Sequence, residues 1–123
     1  MQINERRLHG ATVLEVEGIL TSPASDELLA AVRRVAAAGP PRIILHLGGV
    51  SAMDAAGLGA LVTAYRVVVI NGGTLGLAHV ARRVYALLDV CGLASRFATF
   101  DSVEAAVADG VGRVPESLTA ERR

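Results

Sequence analysis

The run Ile43-Ile44-Leu45 most constrains what this chain can fold into. Three large apolar residues stand in succession, entered through Gly39-Pro40-Pro41 and followed by Gly48-Gly49. A strand with one wet face alternates apolar and polar residues; a strand covered on both faces does not. Arg42 to Leu47 therefore predicts a short interior strand with apolar cover on each side, broken by the two glycines. An interior strand needs a sheet around it and layers above and below.

The flanking sequence supplies both. Ala11 to Glu17 alternates and reads as a strand, and Gln2 to Arg7 reads as a shorter edge strand. His9-Gly10 between them suits a tight turn, so an antiparallel hairpin is expected. A helix follows, with Ser22 as N-cap and Pro23 at its first position. Asp26 and Glu27 fall near its positive end. Leu28, Val32 and Val35 form its apolar face, and Arg33 and Arg34 lie outside it. Asp54 caps a second helix running to about Ile70, where Asn71-Gly72-Gly73 stops it. Thr74 to Ala78 is a strand.

His79 to Cys91 reads as a helix with Val80, Val84, Leu87, Leu88 and Cys91 on its core side. Gly92 suits the left-handed position after that helix, with Leu93 folding back on it. Phe97 to Phe100 is the last strand. Asp101 and Glu104 have capping-box spacing ahead of Val103, Ala106 and Val107. The order is ββαβαβαβα. Strands separated by helices imply parallel crossovers. The expectation is one α/β domain over residues 1–111, a mixed sheet with an N-terminal antiparallel hairpin, and a polar tail over 112–123.

Several function classes fit poorly. Lys plus Arg number 12 and Asp plus Glu number 12, so no basic footprint for nucleic acid stands out. The longest apolar run, Ala60 to Ile70, is interrupted by Thr63, Tyr65 and Arg66, and no bilayer span is expected. Met1 to Gly10 has no apolar signal-peptide core. One cysteine, Cys91, cannot form an intrachain disulfide, which suits the cytoplasm. His9, His46 and His79 lack metal-ligand spacing. His46 reads as a hydrogen-bonded strand residue, and Cys91 as a small core hydrophobe. Gly57-Leu58-Gly59 resembles part of a nucleotide-binding glycine fingerprint, but Val62 stands where the third glycine belongs. Neither a metal nor a cofactor is called for.

Three segments, His46 to Leu61, Asn71 to Leu93 and Phe97 to Val107, together resemble the STAS domain family of sulfate transporters and anti-sigma factor antagonists. The most specific piece is Asp54-Ala55-Ala56-Gly57-Leu58-Gly59, where the family usually reads Asp-Ser-Ser-Gly-Leu-Gly. Arg82-Arg83-Val84 leading to Gly92-Leu93 is a second marker. The resemblance implies a non-enzymatic domain that docks on an anti-sigma factor of the Ser/Thr kinase type. In the family, that kinase phosphorylates the second serine and drives the antagonist off. Here the position is Ala56, beside Ala55, and neither has a hydroxyl. Thr21 stands where the family carries an aspartate. Ser51 and Thr63 are the substitute acceptors nearby.

The resemblance places partner binding at Thr21, Ser51, Asp54, Ala55, Ala56, Gly57, Leu58, Gly59, Ala60 and Thr63. The second helix agrees in part. Leu58, Leu61, Val62, Tyr65, Val68 and Val69 make one apolar face. Ala56, Ala60, Thr63, Val67 and Ile70 make another beside it, and Arg66 is the only charge between Gly57 and Ile70. Such a helix is covered either by its own domain or by a partner. In the partner reading Ala56, Gly59, Ala60 and Thr63 form a small-residue platform. A homodimer through the same stripe, an adaptor role in a transport or signalling complex, and nucleotide or lipid binding stay open as alternatives.

Overall fold

The structure, a computed structural model, describes residues 2–109. The expected domain end at residue 111 and the tail over 112–123 lie outside them. Ten elements follow in order: β1 Gln2–Leu8, β2 Ala11–Leu20, α1 Ser22–Ala37, β3 Arg42–Met53, α2 Ala55–Ile70, β4 Thr74–Ala78, α3 Arg82–Val90, a 3-10 turn at Ala94–Arg96, β5 Ala98–Phe100 and α4 Val103–Ala108. The strands make one sheet in chain order, β1 to β5. β1 runs antiparallel to β2, and all other neighbours are parallel. This is the mixed sheet expected from the sequence.

The turn His9-Gly10 has positive φ at both residues, 51° and 85°. Two successive left-handed residues twist a two-residue loop to match the strands it joins. The pairing of Leu8 with Ala11 follows from that turn.

Ile43, Ile44 and Leu45 are all fully buried. Ile43 and Leu45 join Leu28, Val32, Leu61, Val68, Val84 and Leu88 in the main core, which α1, α2 and α3 build on one face. Ile44 points the other way, into a smaller cluster with Val13, Ala78, Val103 and Ala106 under α4. Cover on both sides is what made the apolar run possible.

The two glycines do not break β3. Gly48 and Gly49 stay extended, and the strand continues to Met53. Each glycine relieves a close approach. A Cβ at Gly49 would stand 2.7 Å from Glu17 Cγ and 3.1 Å from Val16 O. One at Gly48 would stand 2.8 Å from His46 Cε1. The register of β2 against β3 shifts between Glu15 and Glu17 and again between Gly18 and Ile19. Glycine inside a strand often marks such irregularity.

Other boundaries move for local reasons. Thr21, not Ser22, is the N-cap of α1, without a side-chain bond, and Asp26 and Glu27 lie beyond the first turn. Ser102, not Asp101, caps α4 by accepting the Ala105 N–H at 3.0 Å. α3 starts at Arg82 rather than His79, because His79 has φ 55° and Ala81 is extended. Cys91 is exposed. It is the C-cap of α3, past the buried pair Val84 and Leu88, so it is not a core residue. Gly92 is left-handed at φ 74°, and the Leu93 N–H reaches back to Leu88 O at 2.8 Å, as its sequence position predicts.

One buried polar atom lacks a partner among the described residues, the Thr74 hydroxyl. A buried unpaired hydroxyl is destabilising. Thr74→Val, at nearly constant shape, is expected to raise unfolding free energy by about 1 kcal/mol in chemical denaturation.

Candidate functional site

The parallel strands β2 and β3 end side by side, with Ile19 opposite Ala52 and Leu20 opposite Met53. α2 begins immediately beyond, and its start is tightly fixed. The Asp54 carboxylate accepts the Gly57 N–H at 3.0 Å, and the Asp54 carbonyl accepts the Leu58 N–H at 3.0 Å. The Asp54 N–H donates to Leu20 O at 3.3 Å, which ties the cap to the end of β2. An aspartate cap of this kind contributes about 1 kcal/mol.

Gly57 decides how close the helix comes. A Cβ there would stand 2.3 Å from Leu20 O and 2.7 Å from Met53 Cγ. Contacts so short cannot exist, so any side chain at 57 would push α2 off the sheet. Gly59, two residues on, differs. A Cβ there would meet nothing within 4 Å. No contact among the described residues requires glycine at that position, although glycine inside a helix costs about 1 kcal/mol relative to alanine.

The proposed contact residues divide by burial. Ser51, Asp54, Ala55, Ala56 and Gly59 are exposed, and Thr21, Leu58 and Thr63 are half-buried. Gly57 and Ala60 are buried, and Ala60 is only 3% exposed. Placing those two on a partner-facing surface is therefore a correction to the sequence reading. The inner side of α2 runs through Gly57, Ala60, Leu61, Ala64 and Val68, and Ala60 belongs to that side. Glutamate at 60 would put a carboxylate into the core and test folding, not binding. Of the expected platform, Ala56 and Gly59 are exposed and Thr63 is half-buried, and the exposed Ala55 adjoins them.

The apolar faces of α2 resolve accordingly. Leu61 and Val68 are buried, Leu58, Val62 and Tyr65 are half-buried, and Val69 is exposed although the sequence assigns it to the core. In the second stripe Ala56 is exposed and Ile70 is 75% exposed, while Thr63 and Val67 are half-buried. One edge of the helix is thus open from Ala55 to Ile70, with Arg66 as its charge.

Two neighbours escape the sequence reading. Ile19 is 54% exposed at the end of β2, beside the start of α2. The register shift at Gly18, itself at φ 115°, comes immediately before it. The side-by-side Gly18-Ile19 pair in a strand is the only sequence signal for this irregularity. Arg83 Nη1 donates to Ser51 O at 3.3 Å and joins α3 to the end of β3.

His46 and His79 lie apart from this face. Their rings stack at 4.2 Å, and His46 Nδ1 accepts the Gly48 N–H at 3.2 Å. His46 is thus a hydrogen-bonded strand residue, as expected. No group of three or more His, Cys, Asp or Glu among the described residues could hold a metal ion. No helix among them is long and apolar enough to cross a membrane.

Comparisons with known proteins follow this architecture. The model of the STAS domain family matches residues 2–106. A search of the curated proteins returns no match. Among solved structures, a candidate anti-sigma factor antagonist of Thermotoga maritima superposes with a TM-score of 0.80 at 18% identity, over 87% of this chain and 92% of that one. The Bacillus cell fate determinant SpoIIAA, in its phosphorylated form, gives 0.69 at 18% identity, over 88% of this chain and 98% of that one. A sulfate transporter family protein of Wolinella succinogenes gives 0.70 at 24% identity, over 89% and 86%. At these identities the likeness is one of fold.

The two glycines of the motif separate by stability. Gly57→Ala is expected to lower unfolding free energy by about 1–3 kcal/mol through overpacking. Gly59→Ala is expected to raise it by up to about 1 kcal/mol. Urea titrations of the two variants check both signs.

Proposed function

We propose that this chain, which belongs to the STAS domain family, acts as an anti-sigma factor antagonist that docks on a kinase-type anti-sigma factor and cannot be switched off by phosphorylation at the usual motif position. The carrying observation is the exposed first turn of α2. It presents Ala55, Ala56 and Gly59 on a helix start fixed by Asp54 and Gly57, next to the exposed Ile19. Small side chains let a facing backbone come close, and Ile19 adds apolar area at its edge. Such a surface suits a protein partner.

The consequence of Ala56 is electrostatic. A phosphoserine at that position would bring about −1.5 to −2 charges to the docking face. One charge pair at 4 Å is worth about 4 kcal/mol at an effective dielectric of 20. Even a fraction of that energy changes affinity about tenfold. Ala56, without a hydroxyl, cannot take on that charge. Ser51 is exposed and Thr63 half-buried, so of the two substitute acceptors Ser51 is the more accessible.

A second reading has its own support. The structural likeness to a sulfate transporter family protein makes an adaptor role in a transport or multiprotein signalling assembly compatible with the same fold. The occupant of the α2 face separates the two readings.

The purified protein, an anti-sigma kinase of its own organism and ATP are mixed, and affinity and mass are read together. Binding is expected, with no phosphate added at residues 54–59. Ala56→Asp is expected to weaken binding by about tenfold or more without loss of fold. A phosphate on Ser51 would mean that the switch has moved. Absence of binding to every such kinase would favour the adaptor reading.

A further inference from the structure

One pair of side chains belongs neither to the core nor to the docking face. His46 of β3 and His79, the residue that follows β4, stack their rings at 4.2 Å with the planes 21° apart. Ala78, the last residue of β4, is the register partner of His46, so the two imidazoles meet where β3 and β4 part. From there β3 runs on toward Asp54, and the chain after His79 leads into α3.

Three local features hold the stack. A Cβ at Gly48 would stand 2.8 Å from His46 Cε1 and 3.2 Å from His79 Cβ, so glycine leaves the space that these two side chains fill. The Gly48 N–H donates to His46 Nδ1 at 3.2 Å and fixes the ring over that space. His79 takes a left-handed backbone at φ 55°, and its N–H is tied to Phe100 O at 3.1 Å. A residue with a side chain is strained in that region. Such strain persists where the surroundings over-determine it, and it gathers at functional and switching sites.

The hydrogen bond defines a charge state. An imidazole that accepts at Nδ1 carries its one proton on Nε2 and is neutral. A second proton turns Nδ1 from acceptor into donor, and it then faces another donor, the Gly48 N–H. A charge on His79 as well sets two cations ring to ring.

The charged groups nearby come from four elements. Glu15, the register partner of His46 on β2, is already engaged by Arg6 at 2.9 Å, and Glu17 stands beside Gly49. Asp101, after β5, lines a cleft with His79. α3 begins with Arg82 and Arg83, and Arg83 donates to Ser51 O at 3.3 Å. α4 packs on the sheet through Val103, Ala106 and Val107, none of them charged. Neither carboxylate offers the Gly48 N–H a new acceptor in place of Nδ1.

We propose that His46, His79 and Gly48 form an acid-sensitive clasp between β3 and the β4–α3 connection, closed while His46 is neutral and opened when it takes up a proton. Histidine changes charge between about pH 5 and pH 8, so the clasp works in a range that cells reach. Acid opens it and base closes it. The docking reading is not a premise, because the stack is made within the free protein.

NMR spectra of the full chain are followed from about pH 8 to about pH 5. Ring-to-ring Overhauser effects between His46 and His79, and a hydrogen-bonded Gly48 amide, are expected at the upper end. Both are expected to be lost toward the lower end, while the amides of Leu45 and Leu77 stay in place. His46→Asn keeps an acceptor beside the Gly48 N–H and cannot take up the proton, so its Gly48 amide is expected to stay unmoved over the same range. Ring-to-ring effects that survive to the acid end in the native chain overturn the proposal. So does a Gly48 response of equal size in the native chain and in folded His46→Asn.

Discussion

The approach of α2 to the end of β2 governs the rest of the molecule. At Gly57 the helix backbone lies so near the Leu20 carbonyl that not even a methyl group fits. That contact sets the height of the helix above the sheet. It lets Leu61, Ala64 and Val68 reach the main core with Leu45 and Leu77. It also turns Ala55, Ala56 and Gly59 outward, because a helix fixed along one line must present the opposite line. Asp54 contributes the other half of the constraint, since its carboxylate holds the Gly57 N–H while its own N–H is tied to Leu20. Core packing and the exposed small-residue turn are thus two consequences of one close approach.

Much of this was legible in the sequence because it rests on local chemistry. The order of elements follows from punctuation by Gly39-Pro40-Pro41, Asn71-Gly72-Gly73 and Gly92. Double-sided cover of β3 follows from Ile43-Ile44-Leu45. The Asp54 cap and the left-handed Gly92 follow from residue type and position. What escaped depends on partners distant in sequence. Gly48 and Gly49 look like breakers until Glu17 and His46 are seen beside them. Ala60 and Ala56 look equivalent, four residues apart in one stripe. Yet four residues make slightly more than a full turn, and that offset moves Ala60 onto the buried side. Ile19 is hidden from pattern reading because a register shift, not a polar residue, turns it outward.

The composition of α2 also has a physical logic. An all-apolar helix in the middle of a domain is normally enclosed. Here α1 and the sheet cover one side of α2, while the line from Ala55 through Gly59 and Arg66 to Ile70 stays open. The open line is narrow at its N-terminal half, where side chains are small, and bulkier at its C-terminal half, where Val69 and Ile70 stand. A partner reading only the first turns meets backbone and methyl groups.

Gly59 sharpens this point because folding gives no reason for it. A glycine in a helix loses more conformational freedom on folding than alanine and contributes no contact. Gly57 offsets that loss through the packing it permits. Gly59 has open space where its side chain would be, so nothing among the described residues offsets it. A residue that weakens the fold without a return inside it is the kind of local inconsistency expected at a functional surface. The face it occupies also carries Ala55 and Ala56, neither of which has a hydroxyl. Ala56 on the same turn is already the best helix former, so Gly59 alone sets this turn at odds with helix stability.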